Sequence, residues 1–165
     1  MVAFINRIKL FIHVIISFTR IKNYLIFRYN GTICSDATVY RTIHDNMVIK
    51  TEESLKNINR IYDTFFSVKK GENGMSVDLD FLSTPEQSRR RRDNSDNPIN
   101  HENISVLGIK VSEFIKRKMN IQHDPIEDNV SHALIHSDTK KMRCSRGGLQ
   151  DVSKWILKSK YIKKH

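Results

Sequence analysis

The segment MSVDLDF, residues 75–81, alternates apolar with polar side chains. A period of two places alternate side chains on opposite faces of an extended chain, which is typical of a half-buried β-strand. Because a single strand cannot satisfy its own backbone hydrogen-bonding groups, a partner strand must exist. Residues 24–34 and 104–111 are the candidate partners, since both are rich in β-branched or aromatic side chains.

Helices are expected on both sides of this strand. Residues 51–70 begin with a threonine N-cap and two glutamates, carry apolar side chains at helical spacing, and end in Lys-Lys-Gly. Similar patterns predict a capped turn at 36–43, helices at about 111–122 and 124–137, and a final helix after the glycine pair 147–148. The sequence therefore predicts a mainly helical α+β protein: four or five helices, a small two- or three-stranded sheet and a disordered internal loop.

Residues 84–103 are predicted to be this disordered loop. They show no apolar periodicity and contain two prolines, four consecutive arginines and many asparagines and aspartates. Such a composition buries too little apolar surface to offset the entropy of ordering. The loop divides the chain into residues 1–83, an apolar N-terminal segment with a helix and a strand, and residues 104–165, a basic helical region. A length of 165 residues also fits one domain.

The first thirty residues are the most apolar part of the chain. Their longest apolar run, residues 10–18, is interrupted only by a histidine and a serine. It is shorter than the roughly 20 residues of a bilayer-spanning helix, and no pair of small residues follows it as a signal-peptide cleavage site. Three interpretations remain open: a core helix or helix–strand pair, a membrane-associated segment, and an uncleaved signal. Basic residues flank the run on both sides, namely Arg7, Lys9, Arg20 and Lys22.

The charge of the chain indicates an anionic partner. The chain carries 28 Lys and Arg against 18 Asp and Glu, a formal charge of +10. We therefore expect non-enzymatic binding to the backbone of RNA or DNA, through a basic loop and a basic C-terminal segment. The candidate nucleic-acid-binding residues are Arg89, Arg90, Arg91, Arg92, Lys140, Lys141, Arg143, Arg146, Lys154, Lys158, Lys160, Lys163 and Lys164.

Two alternatives involve other partners. In the first, the protein is membrane-associated: the apolar N-terminal segment anchors it and basic flanks contact acidic headgroups. In the second, it is an adaptor that binds another protein, and the positive charge serves only solubility. Because the chain has only two cysteines, we expect reduced thiols and an intracellular location, nuclear or cytoplasmic, with membrane association possible.

An enzyme is not expected, since the chain contains no nucleotide-binding glycine loop, no G-x-S-x-G and no H-E-x-x-H motif. We expect no cofactor, no metal and no small-molecule substrate. The nearest approach to a metal site is formed by His123, His132, His136 and Cys144, because histidines four residues apart share one side of a helix. Cys144 beside such a histidine is likewise the nearest approach to a nucleophilic pair. Neither spacing is diagnostic.

Overall fold

The computed structural model describes residues 2–44, 47–48, 66, 74–91, 103–136 and 148–159. In this part of the chain, six strands form one antiparallel sheet in the order β4-β5-β2-β1-β3-β6. The strands are β1 (Thr38–His44), β2 (Met75–Leu79), β3 (Ile104–Lys110), β4 (Asn120–His123), β5 (His132–His136) and β6 (Lys154–Leu157). The helices are α1 (Val2–Asn30), α2 (Pro85–Arg90), α3 (Val111–Lys116) and α4 (Leu149–Val152).

The predicted strand at 75–81 is confirmed as β2, and the candidate partner at 104–111 is confirmed as a strand, β3. The two do not pair, however, because β1 lies between them. β1 pairs along its whole length with β3, from Thr38 opposite Lys110 to His44 opposite Ile104. β2 pairs with β5 on its other side. The other candidate partner, residues 24–34, is wrong, because its first seven residues belong to α1.

The prediction of a mainly helical protein with a small sheet is wrong. Residues 38–44, 132–136 and 154–157 were expected in a capped turn or in helices, and all three are strands. Each has four to seven residues, and over so few positions an apolar pattern fits a period of 2 and a period of 3.6 almost equally well. Pairing with neighbouring strands then decides the conformation. In the described part of the predicted C-terminal helix, residues 148–159, only Leu149–Val152 are helical.

The start of the predicted disordered loop is an ordered helix. Thr84 caps α2: its hydroxyl accepts a hydrogen bond from the Gln87 amide at 3.2 Å, and the Gln87 side chain accepts one from the Thr84 amide at 2.8 Å. Pro85 occupies the first turn, where its missing N–H removes no helical hydrogen bond. This local capping outweighs the absence of apolar periodicity, and Ser88 is buried. Residues 92–102 lie outside the described part of the chain.

The predicted helix at 51–70 also lies outside the described residues, except for Phe66, which is buried in the core. The predicted helix at about 111–122 is confirmed over Val111–Lys116 and is wrong at residues 120–122, which belong to β4. α3 and α4 contact the sheet at β3, and Phe114 and Leu149 are completely buried there. α2 contacts β1, β3 and β6, so β3 is buried at every position except Lys110.

β1 and β2 separate soon after they meet. In the described part of the chain they share two residue pairs, Val39 with Leu79 and Tyr40 with Asp78. Beyond this point the guanidinium of Arg41 bridges the widening gap and donates a hydrogen bond to the Ser76 carbonyl oxygen at 2.7 Å.

Candidate functional site

Arg91, the third residue of the arginine tract, lies in a cluster of polar side chains. Its guanidinium is 3.4 Å from Asp78 Oδ1 and donates hydrogen bonds to the side-chain oxygens of Asn129 and Ser131. Asp78 Oδ1 also accepts hydrogen bonds from Asn129 Nδ2 at 2.6 Å and from Ser131 Oγ at 3.2 Å. The cluster joins the end of α2 to β2 and to the β4–β5 connection. Arg91 therefore has protein partners, and the geometry favours a structural role over phosphate binding.

The other arginines of the tract differ in exposure. The side chain of Arg89 is only 14% exposed and lies 4.0 Å from Glu86, one turn earlier on α2. Arg90 is exposed. Lys154 in β6 is also exposed, while Lys158 just after it is half-buried. The remaining candidate nucleic-acid-binding residues lie outside the described part of the chain: Arg92, Lys140, Lys141, Arg143, Arg146, Lys160, Lys163 and Lys164.

The histidines lie on strands rather than on a helix. His132 and His136 are four residues apart in β5, which separates their Cα atoms by about 13 Å along the strand. His132 Nδ1 contacts Asp124, and His123 Nε2 lies 2.8 Å from the Val130 carbonyl oxygen. The expectation that His132 and His136 share one side of a helix is therefore wrong. Cys144 lies outside the described residues, and within them no three metal-ligating side chains form a cluster.

Among the described side chains of α1, Arg20, Asn23 and Phe27 form one side that contacts the rest of the protein. The rings of Phe27 and Phe81 are tilted relative to each other with centroids 5.4 Å apart, and the Phe27 and His123 rings form a T-shaped pair at 4.9 Å. One and two turns earlier, Asn23 is buried and Arg20 donates a hydrogen bond to the Ser83 carbonyl oxygen at 2.8 Å. These contacts fix which side of the helix faces solvent.

The solvent side of α1 is apolar. Phe18, Ile21, Leu25 and Tyr29 are spaced three or four residues apart, so they form one stripe along the helix. Their exposed fractions are 68%, 55%, 59% and 91%. We call these four residues the outer face of α1. Sequence reasoning did not identify it, because the cations of this segment lie on several sides of the helix and hide the stripe.

Cations accompany the outer face. Arg28 is exposed beside Tyr29, and Lys22 forms an ion pair with Asp36, a contact that lowers the pKa of Asp36 below its usual range. Within the described residues, no helix combines the length and apolarity needed to cross a bilayer. The outer face of α1 therefore combines exposed apolar side chains with nearby cations.

Under α1, Asp80 is a buried carboxyl. Burial raises the pKa of Asp80 above its ordinary value of 3.8, although Thr38, Arg20 and Lys110 act in the opposite direction. Burial of the neighbouring Tyr40 phenol raises its pKa, and the charge of Asp80 raises it further. The charged form of Asp80 is thus less favourable in the folded protein than in the unfolded chain.

We expect Asp80→Asn to change how stability depends on pH. A carboxyl whose pKa is raised by folding binds its proton more tightly in the folded state, so its contribution to stability falls as pH rises above about 3.8. Denaturant unfolding at about pH 4 and about pH 7 should show wild type losing stability relative to Asp80→Asn. Exposed carboxyls such as Asp36 are present in both proteins and cancel. If the difference in unfolding free energy between wild type and Asp80→Asn were the same at both pH values, folding would not raise the pKa of Asp80.

No protein family model, curated protein or solved structure matches the chain.

Proposed function

We propose that the protein attaches reversibly to the surface of an anionic phospholipid bilayer through the outer face of α1. The observation that carries this proposal is the row of four large apolar side chains, each more than half exposed, on a helix whose opposite side contacts Phe81 and His123. Exposed apolar patches of this kind mark interaction sites, because leaving them in water is costly. A bilayer interface accepts such a stripe along its whole length.

The positive charge near the outer face of α1 favours binding to an anionic surface. Residues 1–35 contain five basic residues and no acidic residue. Each Lys or Arg close to an acidic membrane contributes about 1 kcal/mol of attraction, and each large apolar side chain moved out of water contributes about 1.5–3 kcal/mol. Partial insertion of four side chains, with Arg28 at headgroup level, is therefore sufficient for reversible binding. Tyr29 suits this interface, since its ring can contact the apolar region while its hydroxyl group remains hydrated.

Flotation with phosphatidylcholine vesicles, with and without phosphatidylserine, tests the proposal. Wild type should float with the phosphatidylserine vesicles, and the double variant Phe18→Asp/Leu25→Asp should bind them at least tenfold more weakly. Both positions are exposed, so the fold should persist and circular dichroism should be unchanged. The matched control is Ile126→Asp/Val130→Asp, two exposed apolar residues in the β4–β5 connection. Equal flotation of wild type and the α1 variant would contradict the proposal.

Binding to the phosphate backbone of RNA or DNA is a second candidate. It is supported by the exposure of Arg90 and Lys154, two of the candidate nucleic-acid-binding residues. The net charge of +10 favours it further. In the same experiment, wild type that ignores both kinds of vesicle but binds a random duplex with a steep dependence on salt would favour this candidate over the bilayer.

A further inference from the structure

A cavity of about 450 Å³ lies beside the outer face of α1. Its lining residues in the described part of the chain are Ser17, Arg20, Ile21, Tyr24 and Phe81. The first four lie on α1 at spacings of three or four residues, so they form one strip along the helix. Phe81, just after β2, lines the cavity from the body of the protein. Ile21 belongs both to the cavity and to the outer face, so the two surfaces are continuous.

Arg20 is the only cation among these lining residues, and none of them is acidic. Its Nη2 donates a hydrogen bond to the Ser83 carbonyl oxygen at 2.8 Å, and the residue is half-buried. A guanidinium carries several N–H donors in a rigid planar fork, so this bond orients the group and leaves other donors available. An anion in the cavity would therefore meet a donor group that is already in position.

Arg20 differs from other half-buried arginines in its ion pairing. Three of them each have a carboxylate within 4.0 Å, namely Arg89, Arg91 and Arg117. Among the described residues, no carboxylate lies this close to Arg20. The buried carboxyl of Asp80 interacts with Arg20 electrostatically, but only from beyond this distance. A half-buried guanidinium without a close counter-charge favours the binding of an anion.

The other lining residues suit a phosphate that is attached to an apolar group. Ser17 and Tyr24 carry hydroxyl groups one turn before and one turn after Arg20, and hydroxyl and guanidinium groups together are common partners of phosphate oxygens. Ile21 is 55% exposed and leads from the cavity to the outer face. A phospholipid could thus place its phosphate at Arg20 while its acyl chains follow Ile21.

We propose that this cavity binds the phosphate group of a single phospholipid of the anionic bilayer, with Arg20 as its counter-charge. The inference rests on the proposed function and deepens it: the outer face supplies the apolar contact, and the cavity supplies a site for one headgroup. The volume falls within the range of about 300–1,000 Å³ of small-molecule sites. The source of the phosphate is a lipid, because the cavity shares Ile21 with the surface that would enter the bilayer.

Titration of the nitrogen-labelled full chain with dihexanoylphosphatidylserine, below its micellar concentration, tests the cavity. The NMR signal of the Arg20 Nε–H group should shift and reach saturation. Inorganic phosphate should bind at least about tenfold more weakly, because it has no acyl chain to contact Ile21. Lipid binding without a shift of the Arg20 signal, or phosphate binding as tight as that of the lipid, would overturn the proposal.

Arg20→Gln should weaken binding of this short-chain lipid by at least about tenfold, because the counter-charge of the phosphate is gone. The glutamine amide can still donate to the Ser83 carbonyl oxygen. The matched control is Lys118→Gln, which removes the same charge at an exposed position that does not line the cavity. Equal losses in the two variants would show only a general attraction by positive charge and would overturn the cavity.

Ser17→Glu gives a second test that leaves Arg20 and its bond to Ser83 in place. Ser17 is exposed, so the fold should persist, and the new carboxylate should repel the phosphate and weaken binding by a similar factor. Unchanged lipid binding by Ser17→Glu would overturn the proposal even if Arg20→Gln failed to fold.

Vesicle flotation separates this inference from the proposed function. Wild type that does not float with phosphatidylserine vesicles would remove both. Wild type that floats, together with Arg20→Gln and Lys118→Gln variants that bind the short-chain lipid equally well, would remove the cavity alone and leave attachment through the outer face.

Discussion

Replacing Phe114 with alanine should lower the free energy of unfolding by about 3–5 kcal/mol, the usual result of deleting a buried aromatic ring. Phe114 is completely buried in the core between α3 and the sheet. Domains of this size are stable by about 5–15 kcal/mol, so the variant should lose a large share of its stability or fail to fold. Urea unfolding followed by circular dichroism measures the change.

The next residue supplies the control. Ile115 belongs to the same helix and is 54% exposed, so Ile115→Ala should change stability by less than about 0.5 kcal/mol. Both substitutions place an alanine in the same helix, so the contribution of helix propensity is similar at the two positions. Equal destabilisation by the two variants would mean that α3 does not pack on the sheet through Phe114.

The second large effect is expected at Asp78. Asp78→Ala should destabilise the protein by about 3 kcal/mol, because it removes the carboxylate oxygen that faces Arg91, Asn129 and Ser131. The guanidinium of Arg91 would remain partly buried without a counter-charge. We place the effect at the lower end for a broken buried pair, since the Arg91 side chain is still 23% exposed.

A double-mutant cycle distinguishes the loss of this pair from a general loss of packing. Asp78→Ala/Arg91→Leu should be less destabilised than the sum of the two single variants, because the unpaired cation is gone. Asp128→Ala changes an exposed carboxylate next to Asn129 in the chain and should have an effect below about 0.5 kcal/mol. Additive effects of Asp78→Ala and Arg91→Leu would show that the ion pair does not stabilise the fold.

Local sequence was sufficient to predict an element where its apolar pattern was long enough or began at a recognisable residue. MSVDLDF has seven alternating positions, and five of them form β2; the helix beginning at Val111 has apolar residues that pack on the sheet. Segments such as HALIH and KWIL are too short to separate the two periods, and their strand conformation depends on neighbours far along the chain. The capping box at Thr84 could have been found, since threonine is followed three residues later by glutamine.

The candidate sites also depend on residues far along the chain, so the sequence predicts them only in part. The arginine tract is visible in the sequence, but the partners of Arg91 lie 13, 38 and 40 residues away and belong to other elements. A helical wheel of α1 can sort side chains by direction, but only the packing of Phe27 on Phe81 tells which direction is solvent. Both the structural role of Arg91 and the outer face of α1 are therefore tertiary properties.

The early separation of β1 from β2 has a consequence for how the molecule opens. β1, β3 and β6 form one three-stranded ladder, and β4, β5 and β2 form another; within the described residues two backbone pairs join them. Seven pairs join β1 to β3. Native proteins unfold locally in cooperative units that follow such boundaries. The two ladders can part along the line bridged by Arg41 and Ser76 while each keeps its own pairing. The amide proton of Asp80, which donates to the Thr38 carbonyl oxygen across this boundary, would then exchange with solvent before those between β1 and β3.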